Sequence, residues 1–277
     1  MIDIGVNLTN GQFKDDLEQV LEESFASGLK AMILTGTDLE SSFECLRLCE
    51  THSEKYPNQL FCTAGVHPHD ASSWTAETKT ELRQLLENPA VVASGETGLD
   101  FNRNYSNKEE QISAFEYQIE LAADSSKPLF LHERDAFETQ FDMLRNCRDD
   151  ITQAVVHCFT GSKEALFAYL DLDFYIGITG WVCDERRGTE LAGMVANIPL
   201  DRLMVETDAP FLLPRNIDPK PVSLGGSSKG KSRRNEPRYL SWVIKKIAEC
   251  YGMSEEEIAQ ATTSNAQEFF QLPNLNA

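Results

Sequence analysis

A closed parallel (β/α)8 barrel of the TIM type, with additional C-terminal helices, is the fold this sequence predicts. Three observations carry that prediction. Eight short apolar runs of strand length recur along the chain with amphipathic stretches between them, the alternation expected of a parallel sheet wrapped in helices. Four of the runs close on an acid or an imidazole, namely Glu96, His132, His157 and Asp208, and strand ends on one face of such a barrel are where its active site is built. The length of 277 residues suits one α/β barrel, which often runs this long without dividing. Residues 1–277 are therefore read as a single domain.

The strands are expected at IDIGVN (2–7), KAMILTG (30–36), LFCTAGV (60–66), VVASGE (91–96), PLFLHE (128–133), QAVVHCF (153–159), DFYIGITG (173–180) and RLMVET (202–207). Between them, Phe13, Leu17, Val20, Leu21 and Phe25 share one face of a helix, and Ile112, Phe115, Ile119 and Ala122 share a face of another. Asn107, followed by Lys-Glu-Glu-Gln, is an expected N-cap with acids in the first turn. Helices around 236–250 and 254–270 are expected to pack outside the barrel. Residues two apart in a strand share a face. Val155 thus points with His157, and Glu206 with Asp208, whereas Leu203, Val205 and Thr207 turn toward the helices.

The four strand-end residues form a chemically coherent set. Two imidazoles and two carboxylates from four strands can converge on one divalent ion and leave room for water, as a hydrolytic metal site requires. Two of them are among only five histidines in the chain. Glu206 is too deep to be a ligand and is expected to support one by a hydrogen bond. Asp208 is placed to orient or deprotonate the attacking water, and Glu96 anchors the cation. His67 of GVHPHD could contact the group being cleaved or protonate the leaving oxygen. His69 follows the proline turn and could equally cap the next segment, and His52 is expected to be solvated.

IDIGVNLTN, TAGVHPHD, GETGLDFNRN, HCFTG, IGITGWVCDERRG and ETDAPFLLPR, followed by SRRNEP, strongly resemble the TatD family of metal-dependent deoxyribonucleases, within the amidohydrolase-like barrel superfamily. The resemblance runs over nearly the whole chain and is nearest the bacterial branch. It implies a 3′→5′ exonuclease acting on single-stranded DNA and RNA, with a part in DNA repair or nucleic-acid turnover. It also implies Mg²⁺ as cofactor, a place Mn²⁺ or Zn²⁺ could take, with Glu96, His132, His157 and Asp208 at the family's ligand positions. One departure stands out. Many relatives carry a His-x-His pair for a second metal where this chain has Gly5 and Asn7, which supply no ligand and a weak one. At most one tightly held ion is expected without substrate.

Composition constrains the partners. The net charge of −19 argues against a polyanion at first sight. Residues 214–238, however, hold seven basic and two acidic residues; subtracting that +5 from −19 leaves −24 on the rest. A basic rim formed by Arg233 and Arg234, joined by Arg186 and Arg187 after strand seven, is expected to bind phosphate. Phe101, Tyr105, Trp181 and Phe211 flank it and could stack on unpaired bases. No long uncharged apolar span or signal peptide is read, so no membrane partner is expected. Seven cysteines without a CxxC pair fit a reducing cytoplasm. A monomer is expected. The alternative activity is amidohydrolase-type cleavage of a small amide, lactone or aminoacyl ester, since fold does not fix substrate.

Overall fold

The computed structural model describes residues 1–218, 234–273 and 275. Eight strands form one sheet in sequence order, all neighbours parallel. They are β1 (Ile2–Val6), β2 (Ala31–Leu34), β3 (Leu60–Ala64), β4 (Val91–Asp100), β5 (Leu129–Arg134), β6 (Ala154–Val156), β7 (Tyr175–Ile178) and β8 (Leu203–Val205). The sheet curls until its first and last strands meet. Val6 bridges to Ala209, the Asp208 N–H donates to the Gly5 carbonyl at 2.9 Å, and the Asn7 N–H donates to the Ala209 carbonyl at 2.8 Å. This is the barrel the sequence predicts.

Helices α1 (Leu17–Ala26), α2 (Leu39–Thr51), α3 (Ala76–Leu86), α4 (Lys108–Ser125), α5 (Phe137–Asn146), α6 (Lys163–Asp171) and α7 (Thr189–Met194) follow the first seven strands, and α8 (Leu240–Tyr251) and α9 (Glu255–Phe269) follow the eighth. Asn107 caps α4 in a reciprocal box with Glu110. Strand parity sorts the core into two clusters. Met32, Leu34, Leu129, Leu131, Val156, Leu203 and Val205 pack outward under the helices. Ile2, Ile4, Ile33, Phe130, Val155 and Met204 fill the barrel. The final helix differs from expectation. Phe269 and Phe270, at the end of α9, join the inner cluster with Ile2 and Tyr175, so α9 stoppers the barrel floor rather than lying wholly outside. An eight-stranded barrel must fill its interior with side chains, and here part of the filling comes from the C-terminus.

Two further departures matter. Strand β4 does not stop at Glu96. Its register shifts between Ser94 and Thr97, after which pairing with β5 resumes to Asp100, so Glu96 lies at an irregularity inside a strand. His52 is not solvated: it ends α2, is buried, and lies 3.4 Å from Glu18 Oε1. The seven cysteines are unpaired.

A buried acid reinforces the closure. Asp3 is fully buried and accepts the Thr207 backbone N–H at 2.9 Å and hydroxyl at 2.5 Å. Burial, the dominant cause, pushes its carboxyl from 3.8 up to about 8, against those hydrogen bonds. The folded protein therefore keeps a proton that the unfolded chain releases across the window between these values, and stability falls as pH rises through it. Asp3→Asn, which can still pair with Thr207, is expected to fold and to flatten that decline. Urea unfolding of both proteins across the window checks this; parallel curves would refute it.

Candidate active site

The inner layer of Phe130, Val155 and Met204 is the base of the site. One step further along the same faces stand His132, His157 and Glu206, with the Phe130 ring stacked under His157 at 4.8 Å. Glu96 lies between the imidazoles. Its Oε1 is 2.8 Å from His157 Nε2, 2.9 Å from His132 Nδ1 and 3.4 Å from His67 Nε2. Burial opposes charge on Glu96, and the His157 and His67 imidazoles overcome it, so the carboxyl is held well below its usual range. Burial likewise opposes charge on His157 and His132, and facing acids raise both, His157 strongly through Glu96 and Glu206.

Hydrogen-bond bookkeeping separates ligands from donors, because a neutral imidazole has one N–H and one lone pair. His157 Nδ1 faces Glu206 Oε2 at 3.3 Å, so with a cation displacing the second proton the ring would keep its one N–H there and turn the Nε2 lone pair to the metal beside Glu96. His67 is the reverse case. Its Nδ1 accepts the His69 backbone N–H at 3.1 Å, so the proton sits on Nε2, facing Glu96 and His132. Burial first of all lowers its pKa to about 4, keeping it neutral. Ligand atoms of His67, Glu96 and His132 lie within 4.8 Å of one another, yet the tautomer of His67 makes it a hydrogen-bond donor rather than a ligand. Glu96 Oε1, His132 Nδ1 and His157 Nε2 fit a divalent cation, being hard or borderline donors converging from three strands.

Asp208 follows β8 at the same mouth. Asn7 Nδ2 donates to its Oδ1 at 2.9 Å, so Asn7 serves Asp208 here. Burial, helped by the charges of Glu96 and Glu206 and opposed by His157, pushes the Asp208 carboxyl up to about 7. Glu206 is fully buried and accepts the Cys158 N–H. Gly5 makes room for it: a Cβ at position 5 would stand 2.3 Å from Glu206 Oε2. A side chain there would have to push this carboxylate aside from the Cys158 N–H it accepts.

The arginines are less free than expected. Arg186 and Arg187 turn back onto Asp184, and Arg187 also covers the Trp181 ring. Arg234 is locked between Asp16, at 2.7 Å, and Glu236, at 2.8 Å, over the Phe13 ring. Arg215 pairs with Glu185, and Arg238 with Glu236 and Glu23. Arg233, with Lys220, Lys229 and Lys231, lies outside the described residues. Among the aromatic candidates, Tyr105 is 68% and Phe211 49% exposed. Tyr105 packs edgewise on His69 at 4.8 Å, and the Phe211 N–H donates to the Asp208 carbonyl. Phe101 is covered by Lys108. The site also holds Asp100, which the sequence reading passed over and to which His69 Nε2 is bonded at 2.7 Å.

Comparison with known proteins agrees with this geometry. A family model described as TatD related DNase matches residues 2–271. The chain belongs to the TatD family. A relative from Edwardsiella piscicida, named 3′-5′ ssDNA/RNA exonuclease TatD, is 47% identical over 98% of this chain and 100% of its own. A relative of the same name from Salmonella typhimurium is 45% identical over 98% and 99%. Among solved structures, a TatD family hydrolase from Entamoeba histolytica superposes with a TM-score of 0.88 at 26% identity, covering 97% of each chain. A TatD homologue from Escherichia coli gives 0.85 at 27%, covering 99% of this chain and 98% of its own. This TatD protein has no helix, among the described residues, long and apolar enough to cross a membrane.

Proposed function

We propose that this protein is a divalent-metal-dependent 3′→5′ exonuclease hydrolysing phosphodiesters of single-stranded DNA and RNA. One observation carries the reading: an imidazole nitrogen from each of His132 and His157 lies 2.8–2.9 Å from one Glu96 carboxylate oxygen at the barrel mouth, in a chain 47% identical over nearly its full length to a protein named for that activity. Glu96, His132 and His157 hold the cation, and Asp208 lends an oxygen. The cation, Mg²⁺ with Mn²⁺ or Zn²⁺ as substitutes, supplies charge stabilisation for the transferring phosphoryl group and makes water a stronger acid.

The remaining steps belong to the chain's own groups. Asp208, held by Asn7 and raised to about 7, is matched to take a proton from attacking water near neutral pH. His67, neutral with its proton on Nε2, donates a hydrogen bond to a phosphate oxygen instead of protonating the leaving group. Arg186 and Arg187, exposed beyond their contacts with Asp184, touch the phosphate backbone further from the cut, together with Arg233. Arg234 acts mainly by anchoring the end of the basic segment to α1. Tyr105 and Phe211, exposed on either side of the acid–imidazole cluster, stack on bases without reading sequence. We place this activity in nucleic-acid turnover or DNA repair in the cytoplasm, carried out by a monomer whose residues 1–277 act as one barrel unit. The small-amide or lactone reading has less support, because the relatives in question are named as exonucleases.

Digestion of single strands labelled at either end tests the proposal. With Mg²⁺, the 3′ label should appear at once as mononucleotide while 5′-labelled strands shorten stepwise, and chelation should stop both. Early release of the 5′ label would reverse the polarity. Turnover of small esters without any shortening of DNA or RNA would refute the nuclease reading.

A further inference from the structure

Each of the two cation-facing imidazoles has a far edge, and each far edge meets a buried acid. For His157 that acid is Glu206. For His132 it is Asp100, whose Oδ2 stands 3.5 Å from Nε2. That nitrogen is buried and has no hydrogen-bond partner among the described residues. Among the described residues no other acid stands as near to it: Glu96 lies on the opposite, Nδ1 edge of the ring.

Asp100 is built to stay where it is. It is 1% exposed at the last position of β4. Its Oδ1 accepts the Asn102 and Arg103 N–H groups at 2.9 and 2.8 Å, and its own N–H donates to Gln111 Oε1 of α4 at 2.9 Å. The other oxygen is left to the imidazoles, with His69 Nε2 at 2.7 Å on the solvent side and His132 on the inner side. Leaving a buried N–H without a partner costs more than an ordinary hydrogen bond is worth, so a small ring rotation that closes the 3.5 Å gap to Oδ2 is favourable.

We propose that Asp100 is a positioning residue: its carboxylate keeps the His132 proton on Nε2, so that the Nδ1 lone pair is presented beside Glu96 for the cation. The inference rests on the metal-dependent reading above, which by itself gives Asp100 no role. Acids behind metal-ligating imidazoles fix the tautomer and strengthen the ligand, and their loss weakens metal binding about 10–100-fold. In Asp100→Asn the amide oxygen can still accept the Asn102 and Arg103 N–H groups. Its NH₂ then replaces Oδ2 and offers a proton toward His132, favouring the tautomer with the proton on Nδ1.

Calorimetric titration of substrate-free wild type and Asp100→Asn with Mn²⁺ tests this, together with ¹⁵N NMR of the His132 ring in the Zn²⁺-loaded wild type. The expected results are Mn²⁺ binding about 10–100-fold weaker in the variant, a metal-free melting temperature close to wild type, and a His132 ring protonated at Nε2 with Nδ1 on zinc. A purely structural Asp100 would lower the melting temperature and leave the Mn²⁺ affinity of the folded variant unchanged, which overturns the proposal. So does a ring protonated at Nδ1, and that measurement decides alone if the variant does not fold. A wild type that binds neither ion sinks the metal-dependent reading and this inference with it. A wild type that binds while Asp100→Asn binds equally well sinks only the inference.

Discussion

His132→Ala and His157→Ala are each expected to lower hydrolysis of single-stranded DNA on the order of 10³-fold, the rate equivalent of several kcal/mol of lost charge stabilisation. Each ring directs one nitrogen at Glu96 Oε1, at 2.9 and 2.8 Å, and removing either takes away a third of the set converging there. The two variants should differ in stability. The His157 ring separates buried Glu96 from buried Glu206 and stacks on Phe130. Its loss leaves two acids in one low-dielectric space, a strongly destabilising arrangement. His132 sits nearer the mouth, its side chain 20% exposed, so its alanine variant should melt closer to wild type. Turnover on labelled DNA with Mg²⁺, metal content and thermal melts check both. Near-normal turnover with unchanged metal content in either variant would remove that residue from the ligand set.

Gly98→Ala is expected to cost roughly 3–5 kcal/mol, combining backbone strain with overpacking. Gly98 lies opposite His132 in the β4–β5 ladder and has φ +135°, a region L side chains rarely adopt. An added Cβ would stand 2.0 Å from the His132 carbonyl oxygen and 2.9 Å from Gln140 Oε1. The first of these is backbone in the neighbouring strand and cannot step aside without moving the imidazole it carries, so activity should fall with stability. Gly193→Ala is the control. Its Cβ would meet nothing within 4 Å on α7, and a helical glycine-to-alanine change is neutral or stabilising by up to about 1 kcal/mol. Urea unfolding of both variants measures the contrast; equal midpoints would refute the steric account.

Period and spacing made the barrel readable. Each of the eight predicted runs contains or begins a strand, because apolar alternation and turn residues are local properties. The residues that converge on the cluster were also readable, since strand ends of a parallel barrel share one face. What escaped the sequence depends on partners far along the chain. Arg234 reads as a free cation in SRRNEP, yet its acid partner Asp16 stands just before α1, 218 residues earlier. Gly5 reads as a lost ligand, and only the position of Glu206, 201 residues later, shows the volume it leaves open. Asp100 could have been found by parity: Glu96, Gly98 and Asp100 alternate onto one face. A strand four that stops at Glu96, beside the break in register, hides it.

The phenylalanine pair beneath the barrel has a consequence for how this protein can change over generations. Phe269 and Phe270 close the end opposite the acids and imidazoles, with Ile2 and Tyr175 as neighbours. Reshaping that floor should therefore shift the melting temperature while the chemistry at the other end continues, and altered mouth loops can draw on reserve stability held beneath them. Mutational tolerance and catalytic novelty thus have separate addresses in one barrel, so a lineage can repair a damaging change near the cation by repacking residues a full strand length away.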